Sequence, residues 1–149
     1  MKLGLRAGIA AFLLTAFFSA SPRATAQVKA APNAIQSRSA EIEGVKLHYL
    51  VAGQGPAVIL LHGYTQTSSM WRPLIPKLME KFTVIAPDLP GIGDSQIPND
   101  GLDMKTAAIR IHALAKSLGI TKARVVGHDI GLMVAYALLH NFLLMSRNL

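Results

Sequence analysis

Two glycines, Gly127 and Gly131, bracket Asp129 at the point where one apolar run gives way to a longer one. Ala123-Arg124-Val125-Val126 reads as a strand, and Leu132 to Leu139 reads as a helix. Between them the chain must reverse within five residues, Gly127-His128-Asp129-Ile130-Gly131. A side chain on so sharp a strand-to-helix bend is pushed outward, and glycine two positions to either side removes the Cβ atoms that would collide. Strands alternating with helices along the chain imply a mostly parallel sheet.

The residue carried on the bend is a carboxylate. With an ordinary side-chain pKa of about 3.9 it is already an anion at neutral pH and needs no base before it attacks. The unpaired N–H groups at a helix start favour that charged form further. An oxygen anion of this kind suits a saturated carbon bearing a leaving group, such as an epoxide carbon or a carbon bonded to halogen, and the product is an alkyl ester on the protein. The alternative for this pentapeptide alone is an aspartate capping a helix after a buried strand.

Two upstream runs end in the same way. Val58-Ile59-Leu60-Leu61 leads into His62-Gly63-Tyr64-Thr65-Gln66, and Phe82-Thr83-Val84-Ile85-Ala86 leads into Pro87-Asp88-Leu89-Pro90-Gly91-Ile92-Gly93-Asp94-Ser95. Continuous apolar runs of this length are those of strands buried on both faces. The pattern predicts three loops side by side at the carboxyl edge of one sheet, where open α/β folds place their sites. A dinucleotide site fits poorly, because residues 127–131 lack the middle glycine and Asp129 would oppose the phosphates.

Leu60 to Tyr64, Trp71, Pro87 to Ser95 and Val126 to Gly131, in that order, resemble the amino-terminal half of an α/β-hydrolase. The likeness covers about residues 38 to 138 and is greatest to the branch with an Asp nucleophile, the epoxide hydrolases and their dehalogenase relatives. The resemblance implies a partial α/β-hydrolase fold: a mostly parallel sheet flanked by helices, without the carboxyl-terminal strands and cap. It implies Asp129 as nucleophile, with the backbone N–H groups of Ile130 and Tyr64 forming the oxyanion hole. His62, Gly63, Gly127, His128 and Gly131 would shape the supporting loops, His62 as a buried structural histidine. Asp88, Asp94 and Ser95 would organise their loop through backbone hydrogen bonds. The implied substrate is a small apolar electrophile such as an epoxide. Ile130 stands where haloalkane dehalogenases carry a halide-binding Trp and fluoroacetate dehalogenases an Arg that holds a carboxylate; many epoxide hydrolases also carry Trp there, and Pro where this chain has Thr65.

The resemblance also places the water-activating His and its supporting acid in a carboxyl-terminal half for which residues 139–149 offer no counterpart. His140 lies eleven residues past Asp129, roughly 16 Å along a continuous helix, too far to serve the same site. The expectation is a truncated or frame-shifted product without turnover, or else a non-catalytic module binding a hydrophobic ligand or a protein. The last strand would then have an unpaired edge, which invites self-association.

Lys2 and Arg6 precede the 14-residue apolar segment Ala7 to Ala20, and Ala24-Thr25-Ala26 follows. These are the parts of a secretory signal cleaved after Ala26, and the apolar segment is shorter than the ~20 residues of a spanning anchor. A periplasmic or secreted protein is expected, with residues 1–26 as signal, 27–36 as a flexible lead-in and 37–149 as the domain. The net charge of +7 includes Lys2, Arg6 and Arg23 from the signal, so the remainder is mildly basic. No basic cluster interleaved with aromatics suggests nucleic acid. The absence of Cys removes disulfides and thiolate metal sites, and five scattered His lack ligand spacing, so no cofactor or metal is expected.

Shorter elements complete the reading. Ala40 to Ile42 and Val45 to Val51 pair across Gly44; Ser68 or Ser69 caps a short helix running to Glu80, with Pro73 tolerated near its first turn and Pro76 shortening or distorting it; Asp103 caps a helix whose stripe Met104, Ala107, Ala108, Ile111, Leu114, Ala115 and Leu118 ends at Gly119.

Overall fold

The computed structural model describes residues 34–145, so the expected signal and most of the lead-in lie outside the described residues. Strands β1 (Gln36–Ile42), β2 (Val45–Ala52), β3 (Ala57–Leu61), β4 (Thr83–Pro87) and β5 (Ala123–Gly127) form one sheet in the order β1-β2-β4-β3-β5. Only β2 runs against the others: it is antiparallel to β1 and β4, while β3 is parallel to β4 and β5. The mostly parallel sheet read from the sequence is therefore present.

Three helices act with the sheet. Helix α1 (Ile75–Leu78) follows a 3₁₀ turn at Ser68–Trp71, α2 (Met104–Ser117) joins β4 to β5, and α3 (Ile130–Met145) follows the elbow. Alternation along the strands splits the core into two faces. Val58, Leu60, Val84 and Ala86 pack toward Ile75 and the 3₁₀ turn, whereas Ile59 and Leu61 pack toward α2 and α3. All five residues of β3 are buried, which explains its unbroken apolar run.

The hairpin joining β1 to β2 has Glu43 at φ 51° and Gly44 at φ 76°, the two successive left-handed residues of a tight turn. Strand β1 begins at Gln36, before the expected Ala40 and inside the expected lead-in. Its exposed residues alternate with half-buried ones, so the polar Gln36 to Ser39 concealed it from an apolar-run reading.

Residues 68–80 correct the expected single helix. The cap is Thr67, whose hydroxyl accepts from Ser69 N–H, and the chain breaks before the four-residue α1. Pro73 and Pro76 have no N–H to donate, and Pro76 is accommodated only because it falls in the first turn of α1. Helix α2 meets its expectation: the Asp103 carboxylate accepts from Lys105 N–H, Thr106 N–H and the Thr106 hydroxyl. Helix α3 begins at Ile130 and runs six residues past the expected end at Leu139. Among the described residues, no helix is long and apolar enough to cross a membrane.

Candidate active site

The parallel register sets the three loops side by side. Leu61 at the end of β3 pairs with Gly127 at the end of β5, and His128 N–H continues the ladder onto Leu61 O at 3.0 Å. The loops after β3, β4 and β5 therefore leave the same edge, as the spacing of the apolar runs predicts.

Both elbow glycines are required by close approach. A Cβ on Gly127 would lie 2.4 Å from Gly131 O, and one on Gly131 would lie 2.5 Å from Leu61 O and 2.6 Å from His62 O. The bend folds onto itself and onto β3 with no room for a methyl group. Asp129 absorbs the reversal at φ 52°, a left-handed conformation that costs most non-glycine residues roughly 1–2 kcal/mol and that Asp and Asn enter more readily. Strain of this kind persists only where the surroundings enforce it.

The Asp129 side chain is exposed, not turned into the core. Its Oδ2 accepts the Tyr64 N–H at 2.9 Å, so a loop 65 residues upstream already grips the carboxylate. Among the described residues no donor bonds to Oδ1, which keeps its lone pairs for another partner. Tyr64 thus presents its backbone as expected, while its ring is 69% exposed. Ile130 opens α3, where backbone N–H groups have no partner in a preceding turn. Its N–H makes no hydrogen bond to the Asp129 carboxylate, so of the two expected donors the structure brings only Tyr64 onto it.

His62 is completely buried and organises the edge. Its Nε2 lies 2.9 Å from Leu89 N, a backbone group that can only donate. Nε2 must therefore be bare, and Nδ1 carries the proton that it gives to Gly63 O at 2.9 Å. Both nitrogens of this neutral ring are committed to holding the β3 and β4 loops together.

Asp88 holds the second loop. Its Oδ1 accepts from Ser68 N–H at 2.6 Å, and its Oδ2 accepts from Asp94 N–H at 3.0 Å and from His48 Nδ1 at 2.8 Å. Ser95 donates its hydroxyl to Asp88 O and accepts His48 N–H. His48, Asp88 and Asp94 have the spacing of a metal site. His48 Nδ1 bonds Asp88 Oδ2 and Ser68 N–H bonds Asp88 Oδ1, so a metal there would displace contacts that now hold the loop. Burial alone would raise the Asp88 pKa, but the N–H groups of Ser68 and Asp94, joined by His48, outweigh it and hold the group below its ordinary value of 3.8.

A depressed carboxylate stabilises the fold above its unfolded pKa and loses that contribution as pH falls through the folded value. Stability to urea should therefore fall below about pH 3.8 in the parent. Asp88→Asn should be less stable at neutral pH and should lose part of that acid dependence; urea midpoints from pH 7 down to about pH 2 compare the two.

Away from this edge, a cavity of about 290 Å³ lies between α2, α3 and the start of β5, lined mainly by Ile59, Ala115, Ile120, Val125 and Leu138, with His112 and Lys122. Burial and the nearby Lys116 charge both lower the His112 pKa. The outer face of α3 is also apolar, with Leu132, Met133, Tyr136 and Leu139 all more than half exposed.

Gln66 joins the first loop to the elbow. Its Oε1 bonds Gly63 N–H at 3.1 Å and lies 3.2 Å from His128 Nδ1. No motif marks such a residue, because its second partner is 62 residues away.

A parallel sheet, a strained elbow carrying an exposed carboxylate and a neighbouring loop gripping that carboxylate define a hydrolase scaffold. The pattern of the α/β hydrolase fold family matches residues 56–145, and the chain belongs to that family. It is 47% identical over 102 residues to the soluble epoxide hydrolase of Corynebacterium sp. (strain C12), covering 68% of this chain and 36% of that one. It is 35% identical over 101 residues to the fluoroacetate dehalogenase of Burkholderia sp., covering 64% and 33%. A solved structure described as epoxide hydrolase CorEH without ligand superposes with a TM-score of 0.71 at 44% identity, covering 72% of this chain and 38% of that one. The chain spans about a third of the length of the curated relatives it matches.

Proposed function

We propose that this chain provides the nucleophilic half of an epoxide hydrolase-type site, with Asp129 attacking the epoxide. The observation that carries the reading is the exposed Asp129 at φ 52°, gripped through Oδ2 by Tyr64 N–H and, among the described residues, without a donor on Oδ1. Oδ1 forms a bond to an epoxide carbon, the ring C–O bond to that carbon breaks, and the released alkoxide takes a proton from water. The product is a hydroxyalkyl ester whose carbonyl oxygen is Oδ2. When water attacks that ester, charge develops on Oδ2, where the Tyr64 N–H stabilises it; one such donor is worth roughly 10²- to 10³-fold. The likeness to a relative named as a soluble epoxide hydrolase supports an epoxide.

Hydrolysis of the ester needs a base. His62 has both nitrogens occupied within the core, and His140 lies on the continuous α3 about 16 Å along its axis. Neither can serve Asp129, so the chain by itself captures one epoxide, and turnover would require the Nε2 of the neighbouring His128, whose Nδ1 faces Gln66 Oε1. Incubation with styrene oxide tests this: the intact mass should rise by one epoxide, and peptide mapping should place the addition on Asp129. Sustained diol production would contradict the single-capture reading, and an unmodified mass would sink the nucleophile assignment.

The 290 Å³ apolar cavity favours a second reading, a non-catalytic module that binds a hydrophobic molecule. Styrene oxide separates the two, since such a module would not acquire a covalent adduct. Self-association belongs to both readings, because β5 is paired on one side only among the described residues and the outer face of α3 is apolar. Size-exclusion chromatography should show species larger than a monomer that grow with concentration. Export is part of the proposal: expression with residues 1–26 in a bacterium should yield a periplasmic chain beginning at Gln27, identified by its intact mass.

A further inference from the structure

The turn from Gly63 to Gln66 is closed by Gln66 N–H to Gly63 O at 3.2 Å, and Thr65 inside it has φ 57°. Turns of this kind favour glycine at the left-handed position, and a β-branched residue there is strained. Proline, with φ fixed near −65°, could not take this conformation. The residue before Thr65 gives its N–H to Asp129, and the residue after it carries the side chain that bonds across to His128. Strained and crossed by two contacts to the elbow, the turn has the character of a built support.

The chemistry of Gln66 fixes more than its position. Gly63 N–H can only donate, so the Gln66 atom facing it must be the amide oxygen. That same oxygen faces His128 Nδ1, which must then carry a proton. The neutral His128 ring is accordingly the Nδ1–H tautomer, with the Nε2 lone pair free to accept. Gly63 permits the crossing: a Cβ there would lie 2.6 Å from His128 Nδ1, 2.7 Å from Gln66 Oε1 and 3.1 Å from Asp129 Cβ.

We infer that Gln66 is a positioning residue which, by accepting from Gly63 N–H and His128 Nδ1–H together, locks the strained Tyr64–Thr65 turn onto the nucleophile elbow. Its oxygen sets the direction of the Gly63–Tyr64 backbone, and hence of the Tyr64 N–H aimed at Asp129 Oδ2. The same oxygen fixes the His128 ring beside that carboxylate. Gln66 touches no reacting atom and acts through Tyr64 and His128. The inference deepens the proposed function and rests on Asp129 as the nucleophile.

Two readouts test it on the full chain. Long-range ¹H–¹⁵N correlation at about pH 8, where an ordinary histidine is neutral, reads the His128 tautomer. Intact-mass time courses with styrene oxide read the rate of addition to Asp129. The parent should show Nδ1–H, while Gln66→Leu should shift His128 toward the Nε2–H form that free histidine prefers and label about tenfold more slowly. Gln66→Glu keeps an oxygen acceptor for both donors and should restore both readouts, which general loop damage would not predict. Gln66→Asn, too short to reach both donors, gives the same comparison should Gln66→Leu fail to fold. A parent in the Nε2–H form overturns the inference, as do a tautomer and a labelling rate unchanged in Gln66→Leu. If the parent takes no label, the nucleophile assignment fails separately and the tautomer comparison still decides the role of Gln66.

Discussion

Asp129→Asn should abolish addition of styrene oxide while leaving the fold in place. An amide has no anionic oxygen to form the ester, and removing a nucleophile outright costs a reaction about 10⁴-fold or more. Asparagine is the informative replacement, because with aspartate it is among the few residues that readily adopt the left-handed conformation found here at φ 52°. Its amide oxygen can still accept the Tyr64 N–H that now bonds Oδ2. Circular dichroism and the urea midpoint should therefore stay close to the parent's, while the mass after incubation stays at that of the free chain. Adduct formation by the variant at the parent's rate would place the reactive group elsewhere on the surface. The variant separates the anion on the elbow from the elbow itself, which a larger or β-branched replacement would not do.

The elements most legible in the sequence were those whose chemistry is local. Strand β3 is buried along its whole length and wrote an unbroken apolar run, and Asp103 announced α2 because its carboxylate caps residues two and three positions away. The elbow was readable from Gly127 and Gly131 because their close contacts forbid any other residue. Legibility fell where distant residues decide the outcome. The 3₁₀ turn is capped by Thr67 rather than by Ser68 or Ser69, and the polar start of β1 is held by pairing to β2 rather than by its own composition. Tyr64 was identified as an oxyanion donor through family likeness alone, and the structure puts its N–H on the Asp129 carboxylate. Gln66 and the conformation of Thr65 were invisible, since neither leaves a periodic or local signature. Sequence thus located the exposed carboxylate on the bend, while the contacts that hold it emerged only between loops.

That difference bears on Gly131→Ala, which should be strongly destabilising. The added Cβ would meet Leu61 O at 2.5 Å and His62 O at 2.6 Å, both backbone atoms at the end of β3. No rotamer change relieves a clash with backbone, so either the elbow lifts from β3 or the strand end shifts, at a cost of about 3 kcal/mol. Gly119→Ala is the control: its Cβ meets nothing within 4 Å, and only the left-handed φ of 76° penalises it, by about 1 kcal/mol. Urea midpoints should fall in the order parent, Gly119→Ala, Gly131→Ala. The Gly131 variant should also label more slowly where it remains folded, because a lifted elbow carries Asp129 away from the Tyr64 N–H. Equal losses in the two variants would mean that backbone conformation alone explains the glycine and that the elbow is not seated on β3. A larger loss confined to Gly131→Ala would instead tie the placement of the Asp129 carboxylate to the packing of one peptide against the end of one strand.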